Sequence, residues 1–139
     1  MKKTMRFLSL VLVIGICLSL SGMAVEPRAS LYISRSAGYA IQGDDGIIIG
    51  FTLVGTGIMT DIGATRIEIK NASGRLVATY RYTDDGYSNM MGHDRATYSS
   101  SITYEDAISG NDYYAVIYFK AGNSSGSDTD TLTTGLATA

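Results

Sequence analysis

The chain has 139 residues, enough for one domain. It carries 13 acidic against 11 basic residues, a balance that argues against nucleic acid or an anionic membrane as partner. One cysteine and one histidine leave too little for a zinc site of the His/Cys type or for a disulfide framework.

The first residues set the address. Lys2, Lys3 and Arg6 precede an apolar run from Phe7 to Leu20, and small residues follow at Ser21, Gly22 and Ala24. Charge, short apolar segment and small-residue site in that order make a secretory signal peptide over residues 1–24. Cleavage is expected after Ala24, with Ala29 the second option. The run is short for a bilayer-spanning helix. Cys17 lies inside it, behind Ile16, which is not the placement of a lipidated cysteine. The expected product is secreted, extracellular and without cysteine, and it is not inserted in a membrane. Residues 25–30 form a lead-in with Pro27, the one proline, and residues 31–139 form the domain.

From Leu31 the pattern has a period of two. Leu31 and Ile33 alternate with Tyr32 and Ser34, which predicts a strand that continues beyond Gly38. The Gly43-Asp-Asp-Gly46 segment is a turn, because Asp-Gly supplies the positive φ angles of a tight hairpin. Ile47, Ile49, Phe51 and Leu53 then share one face and make the strongest core stripe in the chain. Gly55-Thr-Gly57 is expected to end that strand. Residues 58–63 are expected to cross over as a loop, with Met59 and Ile62 plugging one end of the core. Ile67 and Ile69 point inward from the next strand, against Arg66, Glu68 and Lys70. A turn at residues 71–74 leads to a return strand over residues 75–82. Residues 87–95 read as a loop holding Met90, Met91 and His93, with the methionine pair as a second plug. A strand over residues 96–104 and a turn at residues 105–111 follow. The last predicted element is a hairpin: one strand from Asp112, a Gly/Asn/Ser turn, and a return strand.

No amphipathic helix is present. About seven short strands, 16 glycines placed mostly at turns and 10 tyrosines define an all-β domain. The segment from Gly110 to Gly126 resembles the penultimate strand and last turn of fibronectin type III and immunoglobulin-like domains. Gly110, Asp112, Tyr113, the alternating Ala115, Ile117, Phe119 and Ala121, then Asn123 and Gly126 carry that resemblance. It implies an antiparallel β-sandwich of the immunoglobulin-like kind. Tyr113 stands where such domains keep a tyrosine. The strand is longer by about two residues than the usual fibronectin spacing, and the early core tryptophan and the cysteine pair of such domains are missing. Gly55-Thr-Gly57-Ile-Met59-Thr-Asp-Ile-Gly63, Ser101-Ile-Thr-Tyr104 and the Tyr113-Tyr-Ala-Val116 strand are in turn similar to a group of small secreted proteins from Gram-positive bacteria with a domain of unknown function. That similarity implies bacterial secretion and no particular activity.

Few residues offer chemistry, and no cofactor motif is present. His93 could join Asp94 or Asp106 and a serine in a triad, but no nucleophile motif flanks any serine, and a solvated or turn-capping histidine is the plainer expectation. Asp44/Asp45, Asp84/Asp85, Glu105/Asp106 and Asp128/Asp130 are acidic pairs. They could serve glycoside hydrolysis or weak Ca²⁺ binding, yet none has the spacing of a Ca²⁺ loop. Such pairs are also ordinary turn and strand-edge chemistry. Tyr114 and Tyr118 are the candidate recognition residues: with Tyr113, Ala115, Ile117 and Phe119 inward, they form an aromatic stripe on the other side. The competing explanation is plain cross-strand pairing on a half-covered sheet. The sequence thus points to a secreted, non-enzymatic module that binds a protein or a surface glycan. The alternatives are a structural subunit that pairs through edge strands and, third, a hydrolase using the acidic loops.

Overall fold

Period-two alternation turns most of residues 30–139 into strand. The computed structural model describes these residues; the predicted signal peptide and all but the last residue of the lead-in lie outside the described residues. The strands are β1 (Ile33–Gln42), β2 (Ile47–Asn71), β3 (Leu76–Arg81), β4 (Met91–Tyr104), β5 (Asp112–Asn123), β6 (Gly126–Thr133) and β7 (Ala137–Thr138). Among the described residues one 3₁₀ turn, Ser88–Met90, precedes β4. All seven strands join one antiparallel sheet with the path β1-β2-β5-β6; β3 and β4 pair with β2, and β7 with β5. The all-β class and the antiparallel pairing are as expected. The strands form one continuous sheet, curled into a half-barrel, where two stacked sheets were expected.

The reason lies in residues 55–63, which are strand and not the expected crossing loop. β2 runs unbroken for 25 residues. Its first half pairs with β1 and β4, and its second half with β3, β5 and the start of β4. Gly55-Thr-Gly57 does not end the strand but forms an irregularity within it: the register with β4 jumps from Val54 opposite Thr97 to Met59 opposite Arg95. Inside that bulge Thr56 takes its partners from the chain ahead of β1. Its N–H donates to the Tyr32 carbonyl at 3.1 Å and its hydroxyl to the Leu31 carbonyl at 2.7 Å. A bulge adds twist and bends the strand, so the inner faces of the two halves turn toward each other.

The core fills the space between them. Ile47, Ile49, Phe51 and Leu53 are buried as the stripe predicts, and so are Met59, Ile62, Ile67, Ile69, Ile117 and Phe119. Phe51 on the first half meets Phe119 on β5 edge-on at 5.6 Å, and Tyr104 meets Tyr113 at 5.5 Å. Met90 and Met91 are buried as expected of a plug. The backbone of Gly63 passes so close to the Met90 carbonyl that a Cβ would lie 2.2 Å from it. Burial in this core raises the Tyr104 hydroxyl above its ordinary pKa, with Tyr113 and Asp106 adding to the effect. The predicted turns form as well. In the first, Gly46 has φ +143°, and a Cβ there would stand 2.1 Å from the Tyr104 carbonyl. Both the backbone angle and the space require glycine.

β1 and β6 approach each other across the mouth of the curl, joined by side chains. The Ser36 hydroxyl donates to Asp130 Oδ2 at 2.5 Å, and the Ser30 hydroxyl to Asp128 Oδ2 at 2.6 Å. The Leu31 and Tyr32 N–H groups donate to the same Asp128 oxygen at 2.6 and 3.0 Å. Asp128 and Asp130 lie opposite the buried residues Ala121 and Phe119, so they face the inner side of an edge strand. Inward charge there also discourages pairing with another chain.

The Ser30 hydroxyl, followed by the Tyr32 and Leu31 N–H groups, holds the Asp128 carboxyl below its usual range. The folded value is depressed. The stabilisation is therefore present above the unfolded value of about 3.9 and is lost as the pH falls through the folded value. Thermal melts taken from neutral to strongly acid pH should show a loss of stability that is shallower in Asp128→Asn than in the native chain.

Candidate functional site

β5 divides its side chains cleanly. Tyr113, Ala115, Ile117 and Phe119 are buried, whereas Tyr114, Val116, Tyr118 and Lys120 are half-exposed on the outer face. The two predicted recognition residues therefore lie on one strand and on one side, four positions apart with Val116 midway between them. Their neighbours follow from the register. Tyr118 lies between Arg66 of β2 and Thr131 of β6, Val116 between Glu68 and Thr133, and Tyr114 beside Lys70. Residues directly opposite in a ladder share a face.

Tyr118 is held by its neighbours. The Arg66 guanidinium carbon sits 4.0 Å from its ring centroid, and its hydroxyl donates to Glu68 Oε2 at 3.2 Å. Arg66 Nε lies 3.2 Å from Glu68 Oε1, close enough for an ion pair although the N–H is not aligned for a hydrogen bond. A bulge at Thr65 sets this geometry, because the register with β5 jumps from Ala64 to Arg66. The Thr65 hydroxyl compensates by donating to the Tyr118 carbonyl at 3.1 Å. One face of the Tyr118 ring is thus occupied by Arg66. Among the described residues Tyr114 makes no such contact, and it stands beside the β2–β3 turn, where a Cβ on Gly74 would be 3.6 Å from its hydroxyl.

Beyond Lys120 the same face opens into a cleft of about 480 Å³ lined by Thr60, Asp61, Lys120, Asn123, Ser125 and Ser127, among others. Its floor at Gly122 carries no side chain. The hairpin requires that glycine, since a Cβ would lie 2.5 Å from that of Ser127. His93 borders this end through Asp61. It is exposed on β4, in the segment expected to be a loop, and its Nδ1 is 2.8 Å from Asp61 Oδ1 and 3.3 Å from the Thr60 carbonyl. Its partner is therefore neither Asp94 nor Asp106. No hydroxyl bonds to the His93 ring among the described residues.

The acidic pairs are dispersed. Asp44 and Asp45 line a shallow cleft of about 320 Å³ beside Ser109, Asp84 and Asp85 follow β3, and Asp128 and Asp130 are engaged at the mouth of the curl. Among the described residues no three histidines, cysteines or acids gather in a way that could hold a metal ion. Sequence inspection missed the partners of Tyr118. Arg66 and Glu68 alternate visibly with Ile67, but only the register shows that they stand against β5. Compared with known proteins, the chain matches no family model, no curated protein and no solved structure.

Arg66 and Tyr118 should be energetically coupled by about 0.5–1 kcal/mol, as expected of a half-exposed cation–π contact. A double-mutant cycle with Arg66→Met and Tyr118→Leu, followed by chemical denaturation, measures that coupling.

Proposed function

We propose that this protein is a secreted, non-enzymatic binding module that recognises a protein or a surface glycan through the outer face of β5, with Tyr114 and Tyr118 among the contacts. The observation that carries the proposal is the division of β5. A half-exposed aromatic row is backed, residue for residue, by side chains locked in the core. Tyrosine offers a flat apolar ring and a polar tip at little entropic cost, and a rigid backing keeps it ordered before a partner arrives. Secretion is supported by the order of Lys2, Lys3, Arg6 and the apolar run, and by the similarity to the Gram-positive group.

An immunoglobulin-like ancestry for the curled sheet has its own support. The Tyr113 hydroxyl accepts the Ile108 N–H at 3.0 Å, the bond of a tyrosine corner. The inner faces of the two halves meet at Phe51 and Phe119 as stacked sheets do. Hydrolysis stays a minor alternative, because Asp44 and Asp45 are neighbours in one turn and do not flank a cleft from opposite sides as a glycosidase pair does. A subunit of a surface assembly is the second reading. It is favoured by β3, which pairs with β2 alone and exposes Leu76 and Val77.

Labelled mature protein should bind washed cell surfaces, and Tyr114→Ala should weaken that binding by roughly tenfold, the loss of one aromatic contact, with an unchanged melting temperature. Undiminished binding by a folded Tyr114→Ala variant would sink the proposal. Sedimentation across a concentration series separates the second reading, which expects self-association that a Val77→Lys substitution abolishes.

A further inference from the structure

The chain is acidic in sum, yet among the described residues several cations on one face stand without an acidic partner. Arg66 and Lys70 of β2, Arg81 of β3 and Lys120 of β5 share the outer face that carries Tyr114 and Tyr118; its acids are Glu68, Asp61 at the Lys120 end, which faces His93, and Asp112 beyond Tyr114, which accepts from the Thr138 hydroxyl. Arg66 and Arg81 lie directly opposite each other in the β2–β3 ladder, an arrangement that costs stability when no anion intervenes. Glu68 cannot relieve the whole patch, since it is already committed to Arg66 and the Tyr118 hydroxyl. Among the described residues no carboxylate lies within ion-pair distance of Lys70, Arg81 or Lys120.

The dimensions follow from the sheet. Arg81, Arg66, Tyr118 and Thr131 form one rank across four strands, roughly 15 Å wide at strand spacing. Tyr114 to Lys120 spans roughly 20 Å along β5. Beside this block β6 turns Thr129, Thr131 and Thr133 outward, opposite Lys120, Tyr118 and Val116. The face therefore combines unneutralised cations, flat aromatic rings and a row of hydroxyls. The centre of a protein–protein interface is instead depleted in charge.

We propose that this face binds an acidic polysaccharide, with Lys70, Arg81 and Lys120 pairing with carboxylates spaced along the chain. Tyr114 packs against a sugar ring, and the threonines of β6 meet its hydroxyl groups. Charge complementarity selects the occupant. The proposal rests on the recognition role of the β5 face and names its ligand class.

The test uses the mature chain on immobilised polygalacturonate, with its carboxyl-reduced form, poly-glutamate and single-stranded DNA as comparisons. Saturable binding to polygalacturonate is expected, falling roughly tenfold between about 50 and about 300 mM NaCl as screening sets in. Lys70→Gln combined with Lys120→Gln should lower it by a further large factor and flatten the salt dependence, with melting unchanged. Tyr114→Ala should lower it and leave the salt slope intact. Equal binding to the reduced polymer, to poly-glutamate or to DNA overturns the proposal, as does no binding at low salt or full binding by the lysine variant. If polygalacturonate is not bound while Tyr114→Ala still weakens cell-surface binding, the ligand class falls and the recognition face stands. If both fail, the face itself is wrong.

Discussion

Twenty-five residues of β-strand laid straight would reach roughly 80 Å, well beyond the width of a domain this size, so β2 has to bend. It does so at irregularities, each of which has a second effect. The bulge after Val54 turns the two halves of the sheet face to face and takes its hydrogen bonds from the segment before β1. The bulge at Thr65 brings Arg66 onto the Tyr118 ring. The core contact of Phe51 with Phe119 and the outer contact of Arg66 with Tyr118 are two results of one constraint, a strand that must serve four partners.

The same economy governs the strands on either side. In β5 every second residue is committed to the core and the rest to the outer face. In β6 the alternation is of another kind. Asp128 and Asp130 turn inward to clasp the start of the domain and β1, while Thr129, Thr131 and Thr133 turn outward. The acids at the mouth of the curl are held by hydroxyl and N–H donors, whereas among the described residues Lys70, Arg81 and Lys120 on the outer face have no carboxylate within ion-pair distance.

Much of this was legible in the sequence. The stripe from Ile47 to Leu53, the Asp-Gly and Asn-x-Ser-Gly turns and the inside-outside division of β5 all follow from local alternation and turn chemistry. The errors fell where local pattern is silent. Gly55-Thr-Gly57 has the composition of a strand end, and nothing local distinguishes a terminator from a bulge whose partners lie upstream at Leu31 and Tyr32. Residues 91–95 look polar and irregular, but they are strand because Asp61, Ile62 and Gly63 offer them a ladder. The division into one sheet or two is a matter of long-range pairing. For the same reason Tyr114 and Tyr118 could be singled out from β5 alone. The cations around them belong to other strands and become neighbours only through register.

The position of β2 also has a consequence in time. Ile47 pairs with Tyr104, and Asp61 with Gly122, so the central strand is made long before the strands that cover it. Until β4 and β5 exist, Ile47, Ile49, Phe51 and Leu53 have only β1 to lean on, and their apolar stripe stands open to any other unpaired strand. Closing such distant pairs is slow compared with closing local ones. The nascent chain therefore passes through an interval in which its best core segment is its greatest aggregation hazard, and the rate of that closure decides how much of the protein reaches the folded state.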